Sequence, residues 1–356
     1  MKKIFLLAIV CLAFFMNGCS ASTEIDKLMI VSGISIDGGE EYDITTQIVN
    51  LSDASQNNLS PILLKTQGRT IVDAMAELAQ LEGQKLYFTH AQTILIGSDI
   101  LKQGEAYHII NLLNTAPRFR SSIRLAATAG KAFDVLSTEP NTDPISAFSI
   151  QDSIDESSRM LKAPDVPFYV FLNDTLESGI DGILPLVDVM ENDDAHLPYV
   201  CGTALFKDTV MVDTLTDEET KYLLLAKGKV PNALYTTADH SFLINSGNSK
   251  MQFKDGSIVL ALKLEVYLVE GSDPGNTELE RILKEDINTG LNMLLSKLKA
   301  IGCDPIGIGR CIKRSSPKYW SEIYPEDWDR VYNDLVIDTE IKISIVPSSK
   351  LAEKEN

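Results

Sequence analysis

Basic residues are in short supply in this 356-residue chain: 32 Lys and Arg stand against 50 Asp and Glu, a formal net charge of −18. Phosphate backbones are held by clustered Lys and Arg, so nucleic acid is not expected as a partner, and anionic lipid headgroups would repel much of the surface. Histidine is scarcer still. His90, His108, His196 and His240 stand far apart, and neither H-x-x-x-H nor C-x-x-C spacing occurs, which argues against zinc. Glu191, Asp193 and Asp194 lack the D-x-D-x-D-G order of an EF-hand and read as a solvated acidic loop. No G-x-S-x-G elbow is present. Gly307-Ile308-Gly309 lacks a third glycine and follows a helical pattern, so a tight turn explains it. His90 sits in a strand-like stretch, where a packed, hydrogen-bonded imidazole is expected rather than a base. No enzyme activity, cofactor, metal site or convergent polar cluster for a small molecule is expected.

Cysteines are few as well. Besides Cys11 and Cys19 there are Cys201, Cys303 and Cys311, an odd set that makes no disulfide framework. Cys303 and Cys311 either pair or serve as small buried apolar side chains. Beyond the first residues, no stretch approaches 18 consecutive apolar residues, so the folded part is expected outside the bilayer.

The first residues differ. Lys2 and Lys3 precede thirteen unbroken apolar residues, Ile4 to Met16, and the chain turns polar directly after Gly18-Cys19. A helix of that length reaches only about 20 Å against a hydrocarbon core of roughly 30 Å. A positive start, a short apolar stretch and small residues at its end make a secretory signal over residues 1–18. Met16-Asn17-Gly18-Cys19 resembles a bacterial lipobox, in which the cysteine thiol takes a diacylglycerol and becomes the new N-terminus; the alternative is ordinary cleavage that leaves Cys19 free. Two acyl chains hold a protein stably on a membrane, whereas one does so only marginally. Loss of residues 1–18 leaves 30 basic against 50 acidic residues, a net charge of −20.

Leu28 to Val49 reads as two strands about Asp37-Gly38-Gly39, and "SDASQNNLSP" as a loop. "RTIVDAMAELAQLEG" places Ile71, Met75, Leu78 and Leu81 at helical spacing before Gly83. "KLYFTHAQTILIG" reads as one strand. Helical "GEAYHIINLLNT", the strand "SSIRLAATA" and helical "KAFDVL" follow, then a helix through Met160. "VPFYVFLNDTLES" fits helix or strand. After "MENDDAHLP", a hairpin turning at Lys207-Asp208 leads to Thr216-Asp217-Glu218-Glu219, the capping-box pattern. Long strands come next. Leu279, Leu283, Ile287, Leu291, Leu294 and Leu298 form one helical stripe between Thr277 and Ala300, with Gly302 as its stop. "DLVIDTEIKISIVP" alternates as a half-buried strand.

Strands and helices mix without regular alternation, so the expected class is α+β: mixed sheets with packed helices in a multi-domain, lipid-anchored ectodomain. The expected divisions are a signal at 1–18, an N-terminal α+β region at 19–196 with a subdomain break near 138–146, a C-terminal α+β domain at 199–347 and a polar tail at 348–356. Trp320 and Trp328 flank "SEIYPED" and read either as an aromatic platform for a partner or as core anchors.

Several stretches together resemble the Ger(x)C lipoproteins, the C subunits of bacterial spore germinant receptors. They are the lipobox Cys19, "IVSGISID" at 30–37, "RTIVDAMAELAQLEGQKLYFTHAQTILIG" at 69–97, "PRFRSSIRLAATAGKAFDVL" at 117–136, "GTALFKD" at 202–208, "DEETKYLLLAKGK" at 217–229, and the run through "CDPIGIG" to "PKYWSEIYPEDW". The chain departs from the family in lacking a tryptophan soon after Cys19, and in Asn114 and Asp213. The resemblance implies a non-enzymatic lipoprotein anchored through Cys19 on the extracytoplasmic face of the inner membrane of a dormant spore. It would work in assembly or signalling with a multi-spanning A subunit and a transporter-like B subunit. The alternative is a solute-binding lipoprotein of a transporter, a class usually built as two α/β lobes around a deep cleft.

Overall fold

Alternating apolar residues about the Asp37-Gly38-Gly39 turn build the first hairpin, β1 (Leu28–Asp37) with β2 (Tyr42–Val49). Ile36 stands opposite Ile44, and Val31 opposite Ile48. The computed structural model describes residues 28–49, 61–83, 85–115, 119–140, 143–192, 195–228, 230 and 232–346. The signal at 1–18, Cys19, most of the "SDASQNNLSP" loop, Asp193, Asp194 and the tail at 348–356 lie outside the described residues.

β3 (Pro61–Gly68) extends the hairpin on one side. α1 (Ile71–Glu82) then begins where the Thr70 hydroxyl accepts the N–H of Asp73 at 3.1 Å, and it ends at Gly83 with φ 62°. Ile71, Ala74 and Leu78 are buried, but Leu81, in the last turn, is 67% exposed and leaves the expected stripe. The strand expected over "KLYFTHAQTILIG" is broken. A 3₁₀ turn at Phe88–His90 separates β4 (Lys85–Tyr87) from β5 (Thr93–Gly97), and both pair parallel with β1. The Gln92 N–H donates to Ser32 O at 2.8 Å, which re-seats the chain along the same neighbour.

α2 (Ser98–Lys102), α3 (Ala106–Thr115), β6 (Arg124–Thr128), α4 (Ala132–Leu136) and α5 (Ser146–Arg159) follow. The ambiguous "VPFYVFLNDTLES" is helical, α6 (Phe168–Leu176), with Phe168 and Phe171 buried. β7 (Ile183–Asn192), β8 (Ala195–Lys207) and β9 (Val210–Thr216) complete a nine-stranded mixed sheet in the order β3-β2-β1-β5-β6-β7-β8-β9, with β4 beside β1. Its centre, β1-β5-β6-β7, is parallel, and antiparallel pairs flank it.

The capping box holds. Thr216 and Glu219 exchange side-chain and backbone hydrogen bonds at the start of α7 (Asp217–Lys227). β10 (Ala233–Thr236), β11 (Ser241–Lys254), β12 (Ser257–Glu270) and β13 (Ile337–Ile345) make a second sheet in chain order, with β12 and β13 parallel. α8 (Asn276–Ile301) makes the crossover between those two strands, and all six residues of its expected stripe are buried. α9 (Ile308–Ser315), α10 (Pro317–Ile323) and α11 (Trp328–Asp334) fill the rest of the connection.

Among the described residues the class is therefore mixed α and β with two sheets, as expected. Residues 190–198, expected between the two regions, lie in the β7–β8 hairpin of the large sheet. Near 138–146 the chain passes from α4 to α5, and Ala147, Ile150 and Ile154 of α5 pack with Leu95, Ala126 and Val187 of the same sheet. One apolar core runs on from Ile34 and Ile94 beneath the large sheet to Leu260 and Ile287 at the small one.

Candidate functional site

Three separated stretches meet at one carboxylate. Asp37 ends β1, and its oxygens accept the N–H groups of Ala132 at 2.7 Å and Phe133 at 2.8 Å, at the start of α4. Gly97, at the end of β5, leaves room for this: a Cβ there would stand 2.6 Å from an Asp37 oxygen. Burial raises the Asp37 carboxyl above its ordinary value, although both N–H groups act in the other direction. "IVSGISID", "TILIG" and "GKAFDVL" are thus tied at the carboxyl ends of the parallel strands.

A cleft of about 510 Å³ opens at the same end. One wall is the β1–β2 turn, Gly38 to Tyr42, with Arg69 to Val72 at the start of α1. The other is α3, which presents His108, Asn111, Leu112 and Thr115 at i, i+3, i+4 and i+7. The carboxyl ends of parallel strands are where crevices form in open sheets of this kind. Across the cleft the Tyr42 hydroxyl donates to Glu105, whose carboxylate lies 3.7 Å from His108 Nε2. Burial, then the Glu105 carboxylate, push the Tyr42 hydroxyl up to about 12, so it stays a donor at neutral pH. Arg69 and Glu41 approach to 3.9 Å at the rim. The set offers hydrogen-bonded recognition. Sequence reading expected no such convergence, because Tyr42, Arg69, Glu105 and His108 come from four segments with no shared spacing.

A second constellation joins the "CDPIGIG" stretch to the loop after α6. The Asp304 carboxylate accepts N–H groups from Gly307 at 2.9 Å, Ile308 at 3.0 Å and Gly309 at 2.8 Å. Asp181 accepts the Asp304 N–H at 2.6 Å, and its own N–H donates to Asp304 O at 2.9 Å. Arg310 lies 3.2 Å from Asp174 and 3.4 Å from Glu177, and Lys227 lies 3.8 Å from Asp174. Burial raises the Asp181 carboxyl to about 6, raises Asp304 and lowers Lys227. The glycines have a mechanical part here: a Cβ at Gly179 would stand 2.6 Å from the backbone of Arg310. These groups pair with one another, so the arrangement serves as a joint.

The tryptophans do not form an exposed platform. Trp320 is 6% and Trp328 8% exposed, packed edge to face at 5.0 Å in one group with Tyr324 and Tyr332. They are core anchors, and the exposed ring of the group is Tyr324 at 38%. Cys201, Cys303 and Cys311 are free thiols, and Cys303 is buried with its Sγ 3.2 Å from Phe206 O. Cys19, the proposed lipidation site, lies outside the described residues. Among the described residues no group of three or more His, Cys, Asp or Glu is placed to hold a metal ion.

Comparison with known proteins covers nearly the whole chain. Residues 21–189 match a family model described as "Spore germination protein N-terminal domain", and residues 201–348 one described as "Spore germination B3/GerAC like, C-terminal". Spore germination protein B3 of Bacillus subtilis (strain 168) is 21% identical over 353 residues, covering 92% of this chain and 93% of the relative. Spore germination protein KC of the same organism is 22% identical over 382 residues, covering 92% and 91%. Spore germination protein GerQC of Bacillus cereus is 20% identical over 342 residues, covering 91% and 93%. Among solved structures, the crystal structure of the GerBC protein superposes with a TM-score of 0.53 at 17% identity, over 91% of this chain and 100% of that one, and shares the fold.

Proposed function

The chain belongs to the GerAC-like family of spore germination proteins, the Ger(x)C group, and from that premise we propose that it is the lipid-anchored C subunit of a nutrient germinant receptor. In this reading Cys19 carries the diacylglycerol, the inner membrane of the spore holds the protein on its extracytoplasmic face, and membrane-embedded A and B subunits are its partners. The role is assembly or signalling rather than catalysis. The observation that supports it best is the ordered match of both family regions across the chain, behind a short apolar signal that ends at Gly18-Cys19.

Deletion of the gene tests the reading. Germination with particular nutrients should fall while growth and nutrient-independent germination persist. Unchanged nutrient germination in a strain without redundant receptors refutes it. Loss of the partner membrane subunits from the spores of such a strain indicates assembly, and their persistence indicates signalling. Cys19→Ala should abolish acylation and release the protein from membranes.

The Tyr42–Glu105 cleft favours a second reading, solute binding. Calorimetry with single nutrients separates the two: tight binding that Glu105→Ala abolishes supports a solute-binding lipoprotein. The large sheet is not divided into two similar lobes, which weighs against it.

A further inference from the structure

We propose that the amino-terminal end of the parallel strands is the face this protein lays against the lipid surface, leaving the Tyr42–Glu105 cleft directed away from the membrane. The inference rests on anchoring through Cys19. Leu28 opens β1 and pairs with Lys85 of β4, so the chain enters the fold at this end. Residues 20–27 alone separate Cys19 from Leu28. At full extension that connection reaches about 30 Å at most, at roughly 3.3–3.6 Å per residue. The ten residues of β1 then carry the chain about another 30 Å, at ~3.3 Å per residue, before it arrives at Asp37 and the cleft. A short leash fixed at the near end holds that end to the bilayer.

The side chains there suit such a surface. The segments are laced together: Arg124 N–H donates to Gln92 O at 3.0 Å, and Tyr169 N–H to Ser121 O at 3.0 Å, next to Arg120. Arg120 Nη2 lies 3.2 Å from His90 Nδ1, and the His90 ring packs 5.5 Å from that of Tyr87. Lys85 and Arg120 are exposed, and Tyr169 is 48% exposed at the start of α6. Asp165, at the same end, is held by Arg124 through both carboxylate oxygens, one of them at 2.9 Å. Tyrosine, apolar in its ring and polar at its tip, belongs at a membrane–water interface, and Lys and Arg meet anionic headgroups favourably. In a mature chain of net charge −20, an end that presents Lys85 and Arg120 around exposed tyrosine is the one an anionic bilayer would accept.

The test uses the mature, acylated protein in vesicles of phosphatidylglycerol and phosphatidylcholine, with benzoylphenylalanine placed at Tyr169 or, at the opposite end, at Glu40. Photolysis should label lipid several-fold more from position 169. Combining Lys85→Glu with Arg120→Glu, both on exposed side chains, should lower labelling from 169 on anionic vesicles by about fivefold per lost charge and leave it unchanged on phosphatidylcholine alone. Equal labelling from the two positions, or more from 40, overturns the orientation. If mass spectrometry finds no diacylglycerol and the protein does not float with the vesicles, the anchor reading fails and takes this inference with it. Protein that is acylated and floats, yet labels lipid from the wrong end, sinks the orientation alone.

Discussion

The carboxylate of Asp37 accepts the backbone N–H of Ala132 at 2.7 Å, across 95 residues of chain. One side chain thereby closes the end of β1 onto the start of α4, and Gly97 keeps the space between them open. The same end of the sheet shapes the Tyr42–Glu105 cleft.

Asp37→Ala leaves two backbone N–H groups without their acceptor and should cost about 1–3 kcal/mol in denaturant unfolding. Gly97→Ala should also destabilise, because its new methyl meets the Asp37 carboxylate. In the Asp37→Ala background much of that second penalty should vanish. Strict additivity in the cycle would mean that the two sites do not share this contact.

Tyr222 of α7 lies flat on Gly290 of α8, where a Cβ would stand 2.0 Å from the ring. Gly290→Ala should therefore destabilise by roughly 1–3 kcal/mol through overpacking, although alanine is the better helix former. Tyr222→Leu should recover part of the loss. Stabilisation by Gly290→Ala alone would show that the ring yields freely.

Ile287 is fully buried in the middle of the α8 stripe. Ile287→Ala should cost about 2–5 kcal/mol from lost transfer energy and the cavity left behind. Thermal and denaturant unfolding both read this, and a cost near zero would mean that the surrounding side chains collapse onto the space.

Asp181 carries a pH signature. Its folded carboxyl titrates at about 6, above the ordinary 3.8, because burial penalises the charge. Protons are bound more tightly in the folded state, so the stability this group contributes is fully present below about pH 4 and is lost as the pH rises through 6. Asp181→Asn keeps an acceptor for the Asp304 N–H and removes the titration. Between pH 4 and 6 wild type should lose stability relative to the variant; a constant difference across that window would show that Asp181 does not titrate there.

Legibility followed the range of the forces involved. Local patterns were readable: the α8 stripe, Thr216 with Glu219, Gly83 and Gly302 as helix stops, and the turn at Asp208. The 3₁₀ break at Phe88–His90 was hidden because Gln92 is re-seated by Ser32, a long-range partner that an apolar run does not reveal. α6 was ambiguous because nine residues hold too few repeats to separate the two periods. The cleft was unreadable for a related reason: Tyr42 and Glu105 are 63 residues apart and meet only through the parallel pairing of β1 with β5. Sequence fits the tryptophans to a platform or to the core alike, and the packing of Trp320 on Trp328 decides for the core. That residues 190–198 pair as a hairpin was not legible either, because a polar hairpin tip and a polar linker have the same composition.

The placement of β13 makes the small sheet answerable to a stretch of chain that comes long after its other strands. β12 is flanked by β11 on one side and on the other by Ile337–Ile345, delivered only after α8 to α11 have been made. Any product of premature termination before Ile337 leaves nine residues of β12, Ile258 to Val266, with an open edge that includes the buried Ile258, Leu260, Leu262 and Leu264. An unpaired apolar edge of that length recruits other chains. Translation that stops early therefore yields a species marked for aggregation or degradation, and, with both expressed from Ser20 without the anchor, a chain ending at Asp334 should sediment while one that includes β13 stays dispersed.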